Sequence, residues 1–308
     1  MKNFNYYAPT EVVFGDQSEE QVALLVKKYG GTKVLVHYGG KSAVRSGLLD
    51  KICGLLQEGG VPYVTLGGVV PNPRLSLAQQ GIDLCRKEEI DFILAIGGGS
   101  VIDSAKCIGY GVPFEGNVWD IYMGKAEPKE MLPVAAVLTI PAAGSEMSES
   151  SVITNEDGDV KVGYSNNLSR PKFAILNPRR TMTLPPYQTA AGVTDMMMHT
   201  MERYFTKDDD MDFTTDLAEA ALRSIKNAVF PVLKDPEGTA EKGIQAMERF
   251  YHAIGMPINI KELIGRDITD EEIKEMARKC SRDNTITCGA LKVLQAPDME
   301  AIYKMARG

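Results

Sequence analysis

Apolar residues between positions 32 and about 140 form short uninterrupted runs that alternate with longer runs of helical spacing. The strand candidates are TKVLVHY (32–38), VPYVTL (61–66), IDFILAI (90–96) and LPVAAVLTI (132–140). The helix candidates are SAVRSGLLDKICGLLQEGG (42–60), PRLSLAQQGIDLCRKEE (73–89) and the later part of GGGSVIDSAKCIGYG (97–111). Strands without polar alternation, separated by helices, are typical of a parallel sheet covered on both faces. The pattern predicts a doubly wound α/β domain.

The pattern changes after residue 150. SSVITNEDGDVKVGY (150–164) places two β-type arms around an Asn/Asp/Gly turn, which predicts a hairpin, and KFAILNP (172–178) predicts one more strand. After TLPP (183–186) the apolar spacing becomes helical, over 187–206, 213–233, 238–254 and 270–282. We therefore expect a first domain over 1–180 and a helical domain over 181–308.

Composition and charge narrow the class of ligand. A chain of 308 residues is long enough for two domains. The net charge is −7, the sequence pI is about 5.2, and no cluster of Lys and Arg stands out. These features argue against nucleic acid or an anionic membrane as a partner and favour small soluble ligands.

The first residues, MKNFNYYAPTEVVFG, lack the charged-then-apolar pattern of a signal peptide, and no apolar run approaches the length of a membrane span. We expect a cytoplasmic protein. The five cysteines are odd in number, scattered and never spaced as CxxC, which favours reduced thiols over a disulfide framework or a zinc site.

The segment AIGGGSVIDSAK (95–106) follows a predicted strand and opens a predicted helix. Its glycines would let the backbone approach a ligand closely, and the helix N-terminus would offer free N–H groups to a pyrophosphate. Ser100 can donate a further hydrogen bond, and Asp103 can accept one from a sugar hydroxyl. Because many tight strand-to-helix turns also use glycine, simple turn geometry is the alternative.

HYGGKS (37–42) occupies the equivalent position after the first strand of the array. In dinucleotide sites an acidic residue near a strand end commonly holds the adenosine ribose, whereas its absence and a nearby cation accommodate a 2′-phosphate. This strand ends in glycines and Lys41, with no acid, so we expect NADP rather than NAD. A plain Gly-Gly turn is the alternative.

GVTDMMMHTMERYF (192–205) places Asp195 and His199 four residues apart in a helical segment. Two ligand-type side chains with that spacing lie on one helical face and can share a cation. A polar pair on a helix surface is the alternative. A catalytic metal normally has three protein ligands, so this pair would supply only part of a site.

Three stretches together resemble one family: GGGSVIDSAK (97–106), TIPAAGSEMSESSVIT (139–154) and LNPRRTMTLPPYQTAAGVTDMMMHTMERYF (176–205). They are similar to the iron-containing (group III) alcohol dehydrogenases, particularly the NADPH-dependent butanol dehydrogenase and aldehyde reductase branch. The resemblance runs through residue 234 or so and resumes over about 238–307. It implies a nucleotide-binding domain, a helical domain, and a cleft with divalent iron or zinc.

The activity implied by the resemblance is the interconversion of short-chain alcohols and aldehydes with a nicotinamide cofactor, the metal polarising the carbonyl oxygen. It also implies roles for residues that match the family's motifs. Those expected around the adenosine 2′-phosphate are Gly39, Gly40 and Ser42. Those expected at the pyrophosphate and nearby sugar are Asn72, Gly98, Gly99, Ser100 and Asp103. Those expected along the remaining nucleotide path are Thr139, Ser148, Lys161 and Leu184. Asp195 and His199 would be metal ligands.

The sequence departs from the family pattern in three places. Ala143 stands where this branch often has a hydroxyl, and Asn177 stands where the family has an acid. The third departure is larger: a helical stretch that supplies two more histidine ligands and a nearby third histidine is missing near 234–238. The chain holds only His37, His199 and His252. The metal ligand set is therefore incomplete unless Glu202 or His252 substitutes, and no catalytic acid is assigned.

Three alternatives to a dehydrogenase of this branch stay open. One is a catalytically silent nucleotide-binding protein descended from such an enzyme. Another is that the natural protein carries a segment that is missing from this 308-residue sequence. In that case the mass of the intact protein would differ from 33.7 kDa. The third is the related glycerol or dehydroquinate type of enzyme. A shortened helical domain should expose apolar surface, MMMHTM (196–201) included, so we expect a homodimer or higher homo-oligomer.

Overall fold

The structure is a computed structural model that describes residues 3, 5–206, 211–229, 249, 251–252, 255–283, 285–286 and 293–308. The chain divides into two compact units, Lys2–Leu184 and Pro185–Gly308. Most of the helix predicted over 238–254 and the shortening predicted near 234–238 lie outside the described residues, as does Cys288.

A six-stranded sheet forms the centre of the first unit, in the order β1-β8-β5-β4-β2-β3. Its strands are β1 (Glu11–Phe14), β2 (Val34–Gly39), β3 (Tyr63–Val69), β4 (Phe92–Gly97), β5 (Val134–Leu138) and β8 (Phe173–Leu176). Every pair of neighbouring strands is parallel. The predicted parallel sheet is confirmed.

Helices cover both faces of this sheet. They are α1 (Val22–Lys28), α2 (Ser42–Arg45), α3 (Leu48–Glu58), α4 (Leu75–Lys87), α5 (Gly99–Gly111) and α6 (Val118–Tyr122). One apolar cluster joins Leu35 and Ile93 of the sheet to Ile108 of α5. A second joins Leu94 of the sheet to Ile52 of α3. The alternating side chains of β4 are all buried because each face packs on helices, which explains why its sequence shows no polar alternation.

The prediction of a single helix over 42–60 is wrong in one respect, because the segment forms two helices. α2 ends at Arg45 and α3 begins at Leu48. Between them Gly47 has a φ of 70°, a left-handed conformation that an α-helix does not contain. The break turns the chain after β2, so that α3 packs through Leu48 and Ile52 while α2 stays short.

The predicted hairpin is confirmed as β6 (Ser150–Asn155) paired antiparallel with β7 (Val160–Ser165). Its turn contains Gly158 with a φ of 78°. The hairpin contacts the loop after β3, since the Thr154 amide donates to the Pro73 carbonyl at 2.9 Å. It therefore lies beside the carboxyl end of that strand.

The sheet order contains a switch point between β2 and β4. From β2 the chain adds β3 on one side, and then returns to place β4 on the other side. In open parallel sheets, ligands bind in the crevice outside the carboxyl ends of the strands at such a point. The fold therefore marks the ends of β2 and β4 as the place to look for a ligand site.

The second unit is helical in its described residues. Its helices are α7 (Pro186–Tyr204), α8 (Asp212–Val229), α9 (Ile260–Ile264), α10 (Asp270–Cys280) and α11 (Ala296–Met305). The helices predicted over 187–206, 213–233 and 270–282 correspond to α7, α8 and α10. No helix within the described part of the chain is both long and apolar enough to cross a membrane.

Candidate nucleotide and metal sites

The glycine-rich turn joins β4 to α5 at the switch point. β4 ends at Gly97, Gly98 is extended, and α5 begins at Gly99 and runs for 13 residues. The Gly98 carbonyl accepts from the Val101 amide at 3.0 Å, closing the first helical turn. The amides of Gly99 and Ser100 have no partner within the helix, because the first N–H groups of any helix point out of its end. Such amides and the helix dipole together favour a bound phosphate.

Glycine is required here by close packing. A Cβ atom on Gly97 would lie 2.4 Å from Cγ2 of Val101, and one on Gly98 would lie 2.6 Å from Cγ2 of Ile140. Neither distance is compatible with a side chain unless its neighbour moves. A backbone without Cβ atoms at the end of a helix suits the close approach of a pyrophosphate, so the turn fits a dinucleotide.

The end of β2 lies next to this turn, since β2 pairs with β4 through Tyr38 and Ile96. Gly39 is the last residue of β2, whereas Gly40, Lys41 and Ser42 are exposed. A Cβ atom on Gly40 would meet nothing within 4 Å. The strand end is therefore open to a ligand and carries no acidic side chain.

The fold brings together two predicted site residues that are far apart in the sequence. Lys161, on β7 of the hairpin, donates from Nζ to Oδ1 of Asn72 at 2.8 Å. Asn72 lies in the loop after β3 and has a φ of 58°, a left-handed conformation that asparagine tolerates better than most residues. This contact places an exposed cation beside the carboxyl end of β3.

Asp103 is on α5, one turn inside the helix. Its Oδ1 accepts from the Ser145 hydroxyl at 2.5 Å and its Oδ2 accepts from the Val152 amide at 3.0 Å. Burial raises the pKa of Asp103, although these two hydrogen bonds and the charges of Lys106 and Lys161 act in the opposite direction. Both oxygens are thus engaged within the protein. The expected contact with a cofactor sugar stays a prediction.

The remaining predicted nucleotide residues lie on two other segments of the first unit. Thr139 follows β5, and its amide donates to the Gly97 carbonyl at 3.1 Å, next to the glycine turn. Ser148 is half-buried in the segment between β5 and β6. Leu184 closes the unit, where its amide donates to the Thr181 carbonyl at 3.1 Å.

Two buried side chains near the turn were not singled out by the sequence patterns. His37 is fully buried in β2, with Nδ1 at 2.9 Å from the Leu66 carbonyl and Nε2 at 2.9 Å from the Ser104 hydroxyl. A carbonyl only accepts, so Nδ1 carries the proton and the hydroxyl donates to Nε2. Burial lowers the pKa of His37 to about 4. The second is Lys106 of α5. Both side chains are held by hydrogen bonds to residues that are distant in the sequence, which no local sequence pattern reveals.

Asp195 and His199 are on α7, as their spacing predicts. Oδ1 of Asp195 lies 3.6 Å from Nε2 of His199, and the two side chains are 50% and 58% exposed. A carboxylate oxygen and an imidazole nitrogen are donors that iron and zinc accept. Within the described residues, no three His, Cys, Asp or Glu side chains are grouped as a metal would require. The described residues therefore offer two candidate ligands and do not complete a metal site.

Neither suggested substitute fills the gap. Glu202 lies 3.8 Å from Nδ1 of His199, on the opposite ring nitrogen from the one that faces Asp195. His252 pairs with Glu262, whose Oε2 is 3.2 Å from Nε2. That pair lines an open groove of about 530 Å³ together with Tyr187.

A cavity of about 720 Å³ lies at the other end of the sheet. Tyr7, Tyr29, Pro133 and Lys172 are among the residues that line it, and the last two precede β5 and β8. The cavity contains none of the predicted site residues. The crevice at the carboxyl ends of the strands remains the better candidate, because ligands of parallel sheets bind at that edge.

Comparisons with known proteins find one matching family and several similar proteins. The family model described as "Iron-containing alcohol dehydrogenase" matches residues 9–178. The chain is 43% identical over 237 residues to "Probable NADH-dependent butanol dehydrogenase 2" of Bacillus subtilis (strain 168), covering 77% of this chain and 60% of that relative. It is 35% identical over 244 residues to "NADPH-dependent aldehyde reductase YqhD" of Escherichia coli (strain K12), covering 77% and 61%.

The matched regions of this chain thus span about three fifths of the length of each of these two relatives. The crystal structure of NADH-dependent butanol dehydrogenase A from Thermotoga maritima is similar with a TM-score of 0.86 at 27% sequence identity. That match covers 100% of this chain and 99% of the solved one. The structural likeness therefore includes the helical unit.

Proposed function

Because the chain belongs to the iron-containing alcohol dehydrogenase family, we propose that it interconverts short-chain alcohols and aldehydes with a nicotinamide cofactor. The observation that carries the proposal is the glycine turn at the switch point, where the amides of Gly99 and Ser100 at the start of α5 have no partner within the helix. The named activities of the relatives, butanol dehydrogenase and aldehyde reductase, support the substrate class.

We assign the cofactor to the carboxyl edge of the sheet. The amides of Gly98, Gly99 and Ser100 would hold the pyrophosphate, and Lys161, already bonded to Asn72, would add a positive charge. Thr139, Ser148 and Leu184 would line the rest of its path, with Asp103 at the sugar. Alignment of the cofactor with the reacting carbon would be the main contribution of these residues to the rate.

We propose NADP as the preferred cofactor, although the two relatives differ: one is named NADH-dependent and the other NADPH-dependent. The support is the end of β2, where Gly39, Gly40 and Ser42 surround an open position without an acid and Lys41 is exposed. Gly40→Asp tests the preference, because a side chain fits there without a clash. We expect NADPH affinity to fall by roughly tenfold through charge repulsion, with little loss for NADH. Equal losses for both cofactors would contradict this assignment.

We propose Asp195 and His199 as two ligands of a divalent iron or zinc ion. Their donor chemistry and their separation on one face of α7 support this. Because the described residues do not complete the shell, we derive no chemical step through the metal. Metal content measured after supplying iron or zinc tests the assignment: Asp195→Ala and His199→Ala should each lose the ion, whereas Glu202→Gln should keep it.

Purified 308-residue protein tests the activity directly. With NADPH, butanal and either iron or zinc, we expect aldehyde-dependent oxidation of NADPH above that of a metal-stripped sample. Calorimetry with NADPH separates the remaining outcomes. If NADPH binds but is not oxidised with either iron or zinc, the proposed reaction is overturned and the protein is a silent nucleotide-binding protein. If NADPH does not bind at all, the cofactor assignment is overturned as well.

We further propose a cytoplasmic homodimer or higher homo-oligomer. The helical unit exposes large apolar side chains, including Met196 and Met198 of the predicted apolar stretch and Phe213 and Leu217 of α8. Exposed apolar side chains of this size are commonly covered by another protein surface. Light scattering that gives a monomer mass at micromolar concentration would contradict this.

A further inference from the structure

Lys106 of α5 is a fully buried lysine, with none of its side chain accessible to solvent. Burying an ammonium group is costly unless hydrogen-bond acceptors replace its water. Here Nζ donates at 2.8 Å to each of three carbonyl oxygens, those of Ser145, Ser148 and Ser150. An ammonium has three N–H donors, so these acceptors satisfy it completely.

The three carbonyls belong to residues 139–150, which run from the end of β5 to the first residue of β6 and which we name the clamp segment. One turn earlier on α5, Asp103 holds the same region from the same helix face. It accepts from the Ser145 hydroxyl and from the Val152 amide, just beyond the clamp segment. Residues three apart on a helix are neighbours on its surface, so Asp103 and Lys106 act on the segment together.

The clamp segment forms one wall of the glycine turn. Cγ2 of Ile140 lies 2.6 Å from where a Cβ of Gly98 would stand, and Cβ of Ala143 lies 3.2 Å from the equivalent point on Gly99. Two predicted cofactor residues, Thr139 and Ser148, are part of it. Any shift of the clamp segment would therefore change the shape of the space next to the phosphate-binding amides.

The charge of Lys106 matters as well as its hydrogen bonds. Burial lowers the pKa of Lys106 to about 8, with Asp103, Glu146 and Glu149 acting to raise it and Arg170 adding to the lowering. The ammonium is therefore charged at neutral pH. It offsets carboxylates that would otherwise oppose the binding of an anion nearby, and Arg170 is already paired with Glu149.

We propose that Lys106 is a positioning residue for the cofactor: by holding the clamp segment against α5, it keeps the phosphate-binding turn in a shape that accepts NADPH. It does not touch the cofactor in this arrangement, since its three donors are used by the protein. The inference rests on the proposed function, because it concerns the affinity of that cofactor.

Lys106→Met tests this role, since it removes the ammonium and keeps most of the apolar stem. We expect the NADPH dissociation constant, measured by calorimetry, to rise by roughly tenfold or more, because the clamp segment loses three charge-assisted hydrogen bonds. Lys106→Gln retains two N–H donors and should give a smaller rise in the dissociation constant. This second variant tests the role of Lys106 if the Met variant does not fold. Cys107→Ala is the matched control, being the next residue of α5 and fully buried.

Amide hydrogen exchange supplies a readout that does not depend on the cofactor. Peptides from the clamp segment should exchange faster in the Lys106 variants, whereas Cys107→Ala should change peptides of α5 and leave the segment protected. Lys106→Met with wild-type affinity and wild-type exchange would overturn the inference alone. Equal losses of affinity in Lys106→Met and Cys107→Ala would overturn it too, by showing general destabilisation. Wild-type protein that binds no nucleotide would refute the proposed function, and this inference with it.

Discussion

The two units bury their apolar side chains to different extents. In the first unit every residue of β4 and β5 is buried, and apolar clusters lie on both faces of the sheet. Among the described residues of the helical unit, buried apolar side chains are few, with Ile268, Ile273 and Met299 the largest, while Phe213 is 76% exposed. Buried apolar area is the main source of folding free energy, so the first unit should be the more stable.

The helical unit relies more on local polar contacts. A capping box begins α10, with Thr269 and Glu272 satisfying each other's backbone amides. Exposed ion pairs follow on the same surface, for example Arg266 with Glu272 and Arg278 with Glu275. Such pairs contribute little individually and are screened by salt. The difference suggests that the two units unfold separately, the helical unit first.

The largest expected contrast is between leucines of the two units. Leu94→Ala, in a fully buried position of β4, should lower the free energy of unfolding by roughly 2–5 kcal/mol. Leu217→Ala, on α8 with a side chain 55% exposed, should change it far less. Denaturant unfolding followed by circular dichroism measures both. Similar losses for the two variants would mean that Leu217 is covered in solution.

A second contrast uses two asparagine–glutamate pairs, one buried and one exposed. Asn177 donates to the fully buried Glu19, and Asn259 donates to the exposed Glu262. Burial alone would raise the pKa of Glu19, but hydrogen bonds from Asn177 and Arg180 outweigh it and lower the pKa. Asn177→Asp would place a second carboxylate next to that of Glu19 in a buried site. We expect it to lower the free energy of unfolding by about 3 kcal/mol. Asn259→Asp should have little effect.

Position 177, where the family resemblance implies an acid, holds an amide that donates to the Glu19 carboxylate. The double variant Glu19→Gln with Asn177→Asp exchanges the two groups, so it should recover most of the stability lost in the single variant. Thermal unfolding of the four proteins measures the coupling. No recovery in the double variant would mean that the cost arises elsewhere than in the repulsion between the two carboxylates.

Acid should affect the first unit through His37. Burial lowers its pKa from 6.5 to about 4, so the unfolded chain binds a proton that the folded chain refuses. The stability contributed by the neutral ring is complete above pH 6.5 and is lost progressively as the pH falls from 6.5 to about 4, a change of about 3 kcal/mol in the free energy of unfolding. His37→Gln should remove this part of the pH dependence, and the exposed His252→Gln should retain it.

The smallest expected effect tests the local contacts of the helical unit. Thr269→Ala removes the cap of α10 and should cost about 1 kcal/mol. The effect should appear in the first unfolding transition and leave the second unchanged. Ser42→Ala is the control, because Ser42 lies in the other unit and makes no side-chain cap bond at α2. A shift of both transitions by Thr269→Ala would show that the units unfold together.

The sequence alone determined the architecture of the first unit and the location of its glycine turn. Uninterrupted apolar runs such as IDFILAI predict strands buried on both faces, and glycines between a strand and a helix predict a close backbone approach. The spacing of Asp195 and His199 likewise placed both on one face of α7. Each of these signals lies within a few consecutive residues, where periodicity and turn chemistry act.

Only the tertiary structure decided which side chains meet across the fold. Lys161 reaches Asn72 from 89 residues away, Asn177 reaches Glu19 from 158, and Lys106 finds its acceptors in a segment about 40 residues later. No local pattern encodes such contacts, because they depend on strand order and on where loops return. The same reason explains why the sequence did not predict the contact between Lys106 and the clamp segment: the acceptors are backbone carbonyls, which every residue type carries.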